Sequence, residues 1–538
     1  MRFFNTAGPV NCEKHYCLPP LQRFDLSDIE SLIGQEKYFV LHAPRQTGKT
    51  SCLLALMDHL NQQGKYKALY CNVEAAQAAR EDVAQAMNDI LREMARSAQI
   101  YLQDNFLDES KYEFLERGGH GTALGAALSA WSERLDKPLV VFLDEIDSLI
   151  GDSLISVLRQ LRSGYTRRPG FFPQSIILCG VRDVRDYRIH SSSTKEVITG
   201  GSAFNIKAES LRLGDFVQPE VASLLALHTQ ETRQQFSAEA LSLFWHLTSG
   251  QPWLVNALAY ETCFKMQEAQ NRSLVITGEM VEQAKENIIV RRETHLDQLG
   301  DKLREKRVHQ VVEGILSGWT DPSDLPEDDV QYAVDLGLIQ RKPHLHIANP
   351  IYQEIVPRML TATTQDTINQ QTAWYVRSDG SLDMDKLISA FQEFFREHSE
   401  AWLERFQYKE AGPQLLMQAF LQRVVNSGGR VEREYGLGRM RTDLLVLWPL
   451  SQSQPGKPAW TRWLGPVQKA VVELKILYKS LDKTIEDGLR QTHEYMDRCQ
   501  TRQGHLIVFD RRKGVSWEEK LFQREESHQG QMIMVWGM

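Results

Sequence analysis

The sequence predicts an α/β protein: a parallel sheet covered by helices, then a helical segment and a hairpin, then a second α/β domain beyond a linker. Three observations carry this. Apolar runs of strand length at Tyr38 to His42, Ala68 to Val73, Leu139 to Leu143 and Ser175 to Val181 alternate with long helical patterns, the order of parallel strands joined by crossover helices. From about Leu213 to Ile289 the pattern is helical only, and beyond the polar, aperiodic stretch Thr361 to Gln371 it becomes helix, three strands, helix, strand. At 538 residues the chain is also too long for one core, since domains run to roughly 100 to 200 residues.

Composition excludes several classes. Hydrophobic residues make up 42% and charged residues 25% of the chain, which rules out a disordered or low-complexity protein. No apolar run approaches the ~18 residues of a membrane span. Met1 to Gly8 holds one Arg and no apolar run before Pro9, so a cytoplasmic protein is expected. Seven scattered cysteines with no CxxC pair fit a reducing compartment, and the one close pair, Cys12 and Cys17, is expected to be ordinary packing thiols. A net charge of −8 argues against indiscriminate coating of nucleic acid. The stretch from Thr363 to Met538 carries +1, however, so a surface facing a polyanion is expected in the last third.

The first strand, Tyr38 to His42, leads into Ala43-Pro44-Arg45-Gln46-Thr47-Gly48-Lys49-Thr50, followed by Ser51 and a helix with Leu53, Leu54, Leu56 and Met57 at helical spacing. This fits a phosphate-binding loop with Ala at the first Gly position. Such a loop turns backbone N–H groups toward phosphate oxygens at a helix N-terminus, with Lys49 reaching the β and γ phosphates and the Thr50 hydroxyl on Mg²⁺. An independent signal is the apolar strand Leu139 to Leu143 running into Asp144 and Glu145. Two carboxylates at the end of a buried strand are costly unless a cation or water network uses them. Asp144 is expected to hold Mg²⁺ through water and Glu145 to polarise the attacking water.

With these motifs, residues 1 to about 360 resemble the bacterial and archaeal P-loop ATPases related to AAA+ and STAND proteins. The resemblance implies a P-loop NTPase core over residues 1–212, a helical lid over 213–297 and a winged helix over 298–360. Gly250-Gln251-Pro252 resembles the GxP motif of STAND lids, which implies Pro252 near adenine. Lys306 to Leu316 and Asp328 to Leu336 read as helices, and Leu338 to Ile347 as a hairpin around Pro343, the parts of a winged helix. Ser175 to Val181 is expected to be the sensor strand, followed by Arg182, Arg185 and Arg188. One of these reaches a γ-phosphate, or they form ion pairs with Asp183 and Asp186. Cys179 and Gly180 stand where such families place a polar residue.

Beyond the expected linker, 361–371, residues 372–538 form the second domain. Leu387 to Phe406 and Gln414 to Val425 read as helices, Val431 to Tyr435, Thr442 to Trp448 and Ala470 to Leu477 as strands, Leu481 to Cys499 as a helix, and His505 to Phe509 as a last strand. Ser451 to Trp460 reads as a loop. Residues i and i+2 of a strand share a face, so Glu473 and Lys475 point together while Val472, Leu474 and Ile476 face the core. If the strands pair, Asp443 joins them, giving two carboxylates and a Lys suited to Mg²⁺ or Mn²⁺ and a metal-bound hydroxide. In this order the residues resemble the PD-(D/E)xK restriction-endonuclease-like superfamily, with Thr442 in place of the usual Pro. Gln491 and Tyr495, four apart on one helix face, resemble the QxxxY motif of its RecB-like members. The resemblance implies metal ligation by Asp443 and Glu473 and catalytic roles for Lys475, Gln491 and Tyr495. Glu410, Glu432 or Glu434 is a further candidate ligand. Arg423, Arg430, Arg433, Arg439 and Arg441 form a basic stretch that reads equally as a phosphate contact or a mixed-charge surface.

Two functions follow as expectations. One is an ATP- and Mg²⁺-dependent module controlling a metal-dependent nuclease acting on DNA rather than RNA, as a homo-oligomer answering a phage or host trigger protein, the arrangement that the resemblance to bacterial genome-defence fusions implies. The other is a STAND-like nucleotide switch whose last domain binds nucleic acid or a partner without cutting. Neither involves a membrane.

Overall fold

The computed structural model describes the chain apart from residues 184–186, 191–196, 292–293, 317–324, 343, 361–374, 406–416, 418–419, 422–428, 438–439, 451–464, 478–479, 511 and 513–514. The expected linker 361–371, the loop 451–460 and most of the helix 414–425 lie outside the described residues, as do Arg185, Glu410, Arg423 and Arg439. The chain forms two compact units. One comprises Met1–Ile288, Gln331–Gln340 and Ala348–Pro350, the other Ile289–Val330, Arg341–Ile347 and Ile351–Met538.

The first unit is built on a five-stranded parallel sheet. Its strands are β1 (Tyr38–His42), β2 (Lys67–Asn72), β3 (Leu139–Asp144), β4 (Ser175–Gly180) and β7 (Lys207–Arg212), in the order β2-β3-β4-β1-β7. Two three-residue strands, β5 (Arg188–His190) and β6 (Val197–Thr199), pair with each other. Alternation along the central strands divides the core in two. Tyr38, Val40, Val141 and Leu178 face one side, with Met87, Leu128 and Leu158 of the helices α3 (Val83–Leu102), α5 (His120–Arg134) and α6 (Gly151–Ser163). Phe39, Leu41, Phe142 and Ile177 face the other, with Ile29 of α1 (Leu26–Gly34) and Leu53 and Leu56 of α2 (Lys49–Gln63). The runs of apolar residues in β1, β3 and β4 are therefore what a parallel sheet covered on both faces requires. Strand β7 escaped the sequence reading because its KAESLR string is half polar, as suits a sheet edge.

Two further helices, α4 (Phe106–Gly118) and the short α7 (Gly200–Ala203), precede the helical segment. That segment contains α8 (Gln218–Thr232), α9 (Ala238–Thr248), α10 (Pro252–Tyr260) and α11 (Gly278–Arg291). Between α9 and α10 the chain turns at Gly250, whose φ is +79°, and a Cβ there would lie 1.9 Å from the Phe216 carbonyl oxygen. The Phe216 N–H donates to the Gly250 carbonyl at 2.9 Å. Only glycine fits such a close approach in the left-handed region.

The N-terminal segment departs from expectation. Cys12 and Cys17 form a disulfide with their Cα atoms 5.2 Å apart. A turn brings them together, the His15 and Lys14 N–H groups donating to the Asn11 carbonyl; sequence spacing alone does not reveal such a turn. The remaining five cysteines are buried and free. Among the described residues no helix is long and apolar enough to cross a membrane.

Helices α12 (Thr294–Leu303), α13 (Lys306–Leu316) and α14 (Glu327–Asp335) follow, then the short strands β8 (Ile339–Gln340) and β9 (His346–Ile347) and helix α15 (Pro350–Leu360). The helices and hairpin thus fall within one or two residues of their expected positions.

The second unit carries a six-stranded mixed sheet, β10-β11-β12-β13-β15-β14, from β10 (Arg430–Leu437), β11 (Met440–Pro449), β12 (Val467–Ile476), β13 (Gln503–Phe509), β14 (Phe522–His528) and β15 (Gln531–Gly537). The chain does not end its sheet at Phe509, as the sequence reading expected. Two more strands follow, joined by a turn whose residues Gln529 and Gly530 both have positive φ, +48° and +83°. That is the signature of a two-residue hairpin. The polar string FQREESH hid the first of them because alternation there is confined to an edge.

Replacing Gly250 with Ala forces a Cβ into the Phe216 carbonyl and adds αL strain of about 1–3 kcal/mol. Equilibrium urea unfolding is expected to show the first transition of Gly250→Ala lowered by at least about 2 kcal/mol, and an unchanged transition would contradict the tight approach.

Candidate functional site

The loop from Ala43 to Gly48 joins β1 to α2 on the carboxyl side of the sheet, where strand ends and helix starts converge in doubly wound folds. Gln46 and Gly48 have positive φ, +58° and +94°, while Ala43 does not. Ala43 is fully buried and its N–H donates to the Gly180 carbonyl at 3.2 Å. The first position of the loop therefore needs no glycine, which explains why Ala stands there. No side chain caps the start of α2 at Gly48, leaving the first N–H groups of a 15-residue helix directed at the loop.

Lys49 is 5% exposed, and its Nζ donates to the Ala43 and Pro44 carbonyls at 2.9 and 3.0 Å. The Thr47 hydroxyl donates to Pro44 at 2.8 Å. The Asp144 carboxylate, fully buried at the end of β3, accepts from the Thr50 hydroxyl at 2.8 Å and from the Tyr70 hydroxyl at 2.9 Å, both on Oδ2. Tyr70 lies on β2 in an apolar run that reads as core, and nothing in the sequence marks its hydroxyl. Burial and the neighbouring Asp144 raise its pKa, so it stays a donor.

Glu145 follows Asp144 in the left-handed region, φ +58° and ψ +40°, a conformation that costs energy for a non-glycine residue. Burial raises its pKa, Asp147 and Asp144 push the same way, and Lys49 and Arg45 oppose. Asp147 accepts from the Val181 N–H at 3.0 Å, tying the end of β4 to the segment after β3. Gly180 has no room for a side chain, because an added Cβ would meet the Asp147 carboxylate at 2.6 Å.

Beside the loop lies an open cavity lined by Gln46, Thr47, Gly48 and Ser51, by Pro252, Trp253 and Asn256 of α10, and by the N-terminal segment from Asn5 to Val10. Three contacts assemble it. The Val10 N–H donates to the Ser51 hydroxyl at 2.9 Å, the Trp253 indole donates to the Thr6 carbonyl at 2.9 Å, and Arg23 joins the loop to the segment that precedes α8. Arg23 donates to Thr47 at 3.3 Å and to Gly214 at 2.5 Å and lies over the Phe216 ring at 4.4 Å. Pro252 takes its place in this cavity; the N-terminal residues and Arg23 were not foreseen, because they carry no motif and converge only through tertiary packing.

Arg182 does not pair with Asp183. It donates from Nε to Asp335 Oδ2 at 3.3 Å and lies over the Tyr332 ring at 4.7 Å, both on α14. Asp183 instead pairs with Lys207 at 2.5 Å, both nearly fully buried. Arg188 lies on β5, and the side chains of that strand are outside the described residues.

In the second unit, β11 and β12 pair antiparallel with Leu444 opposite Val472. Asp443 and Glu473 are the adjoining residues of the two strands; the side chain of Asp443 lies outside the described residues, as do those of Glu432, Glu434, Arg430, Arg433 and Arg441 on β10 and β11. Glu473 is 3% exposed, and Lys475 Nζ lies 2.7 Å from its Oε1. The shared face of Glu473 and Lys475 is not an open one. Val471, on that face, belongs to a core cluster with Tyr495 and Met496 of the helix Leu481–Cys499, so that helix covers this side of the sheet. Tyr495 is buried there, with Gln491 half-buried one turn earlier. Among the described residues no three His, Cys, Asp or Glu side chains are grouped to hold a metal.

The parallel sheet, the loop from Ala43 to Thr50 and the Asp144 carboxylate define an ATPase-type P-loop module. The family model for the AAA-like domain matches residues 29–354, and the chain belongs to that family. Among solved structures it is similar to a Walker-type ATPase of Pyrococcus abyssi, at 14% identity and TM-score 0.45 over 66% of this chain and 99% of that one. It is also similar to Cdc6p of Pyrobaculum aerophilum, at 14% identity and TM-score 0.35 over 65% and 94% of the two chains. A third likeness is the RuvB Holliday junction branch migration motor of Thermotoga maritima, at 12% identity and TM-score 0.32 over 61% and 90%. No curated protein matches.

Because burial raises the folded-state pKa of Glu145, its protonated form is favoured in the fold. The stabilisation is present below the unfolded carboxyl range and is lost as pH rises through the raised value. Thermal melts of Glu145→Gln are therefore expected above wild type at neutral pH and equal to it below about pH 4. A lower melting temperature at neutral pH would reverse the assignment.

Proposed function

We propose that the chain binds and hydrolyses ATP in its first unit and uses the nucleotide state to control a metal-dependent nuclease in its second, with DNA the preferred substrate. The observation that carries the ATPase half is the set of buried groups at one loop: the Lys49 ammonium on the loop carbonyls and the Thr50 hydroxyl on Asp144. A hydroxyl beside a buried carboxylate is an oxygen donor set of the kind a hard cation takes, so the residues fit Mg²⁺ with Thr50 and Asp144 as its holders. Bound there, Mg²⁺ neutralises phosphate charge. The N–H groups opening α2 and Lys49 bind the phosphates, Glu145 orients and polarises the attacking water, and Pro252, Trp253 and the N-terminal segment enclose the base.

For the nuclease half, support comes from the 2.7 Å Glu473–Lys475 pair on β12 and from Asp443 on the neighbouring strand. A carboxylate and an ammonium held this close on the strand next to a second carboxylate suit Mg²⁺ or Mn²⁺ and an oriented water. In this reading residues 1–212, 213–297, 298–360 and 372–538 are core, lid, winged helix and nuclease domain, with the joint at 361–371. Assembly into a homo-oligomer, a protein trigger and a place in genome defence extend the proposal.

The second reading, a nucleotide switch that recognises nucleic acid or a partner without cutting, is favoured by the covering of the Glu473 face.

Isothermal calorimetry is expected to show ATP binding lost in Lys49→Ala and retained in Glu145→Gln, whose turnover falls by about 10²–10⁴-fold. Unchanged affinity in Lys49→Ala would remove the loop from nucleotide binding. Plasmid, linear DNA and RNA incubated with Mg²⁺ or Mn²⁺ decide between the two readings. Cleavage that disappears in Asp443→Asn, Glu473→Gln and Lys475→Met, with ATP turnover intact, is the nuclease outcome. Binding without cleavage is the switch.

A further inference from the structure

Three donors from three parts of the chain hold the Asp144 carboxylate. The Thr50 hydroxyl at 2.8 Å and the Tyr70 hydroxyl at 2.9 Å both donate to Oδ2, and the Glu145 N–H donates to Oδ1 at 3.0 Å. Thr50 belongs to the phosphate loop and Glu145 to the acidic pair. Tyr70 belongs to neither motif.

The torsion that orients an Asp carboxylate is broad, with no staggered wells to define it, so the orientation is set by what donates to the two oxygens. With one hydroxyl on Oδ2 the carboxylate swings about that contact. A second hydroxyl on the same oxygen, delivered from the neighbouring strand, removes that freedom. An ionised carboxylate offers about two acceptor sites on each oxygen, so Thr50 and Tyr70 together fill Oδ2 and the open capacity lies on Oδ1. The Cys179 thiol also lies against Asp144, but a thiol is a weak donor.

Tyr70 delivers its hydroxyl from a fixed position. It stands on β2 opposite Phe142, and both side chains belong to the core on the α2 side of the sheet, with Leu53 and Leu56. Asp144 lies two residues beyond Phe142 and so projects to the same side. The Tyr70 side chain is held by that packing, being 7% exposed, which is how a supporting group keeps a site in register. Packing alone does not require the oxygen, because Phe fills the same core.

We propose that Tyr70 is a positioning residue for the divalent cation of the nucleotide site: by closing Oδ2 it holds the Asp144 carboxylate turned so that Oδ1 serves the cation beside the Thr50 hydroxyl. The proposal rests on nucleotide and Mg²⁺ binding at Lys49, Thr50 and Asp144. Partners that orient a metal-binding carboxylate typically carry about 10–100-fold in metal affinity. The hydroxyl acts on the carboxylate and not on Lys49 or the N–H groups that open α2, so nucleotide affinity without metal does not depend on it.

Two measurements on the full chain test this: titration of Mn²⁺ in the presence of ADP, followed by electron paramagnetic resonance, and calorimetry of ADP in EDTA. Tyr70→Phe removes one oxygen and keeps the ring. Its Mn²⁺ affinity is expected to fall about 10–100-fold, with ADP affinity in EDTA unchanged. Cys179→Ala alters the packing against the same carboxylate without removing a strong donor and is expected to keep the wild-type Mn²⁺ affinity. Wild-type Mn²⁺ affinity in Tyr70→Phe overturns the proposal. So does an equal fall in Cys179→Ala, or a loss of ADP affinity in EDTA by Tyr70→Phe, since either makes the hydroxyl a part of the packing. In those cases the nucleotide site stands as long as the wild type binds ADP and Lys49→Ala does not. Undiminished binding in Lys49→Ala overturns the site and the positioning role together.

Discussion

The buried carboxylate of Asp144 is the constraint around which the first unit is arranged. A charge removed from water is tolerated only where donors surround it, and here they come from two other parts of the chain. Thr50 arrives on α2 and Tyr70 on β2. Satisfying that one group fixes the register of β2 against β3, with Asn72 opposite Asp144, and fixes the first turn of α2 above the strand ends. The phosphate loop is therefore positioned by a polar contact that a purely apolar core would not supply.

The surrounding parts follow from close approaches rather than from large contacts. Gly250 against Phe216, Gly337 against Pro44 and Gly180 against Asp147 are three places where a side chain would not fit. The first joins the turn between α9 and α10 to Phe216, the second brings the turn after α14 against the loop, and the third ties the end of β4 to the segment after β3. Arg23 adds a fourth tie, from the N-terminal region to Thr47 and Gly214. Close approaches of this kind leave no slack, because a packed interior does not accommodate even one added methyl group without displacement.

The sequence made the parallel sheet legible because apolar runs such as YFVLH and LVVFL have the length and continuity of strands covered on both faces. The loop and acidic pair were legible because their chemistry requires fixed residues at fixed spacing. Tyr70, Arg23 and the N-terminal segment were not, since each contributes through a fold that brings distant residues together and none alters the local pattern. Strands β7 and β14 were lost for a different reason: edge strands carry polar residues on positions that a buried strand fills with apolar ones. The pairing of Arg182 with Asp335 rather than its neighbour Asp183 shows the same limit, because proximity along the chain says little about which ion pair the fold selects. Glu473 and Lys475 were rightly placed together by strand alternation, but the helix covering their face was assigned to the motif and not to the core.

The strand order has a consequence for the birth of the molecule on the ribosome. Strand β1 is flanked by β4 and β7, so the apolar string Tyr38 to Leu41 has no sheet partner until about 130 more residues have been made. At translation rates of about 5–20 residues per second that wait lasts roughly 7–26 s. Throughout it the nascent chain displays an unpaired, strongly apolar strand, the sort of segment that chaperones bind and that seeds aggregation.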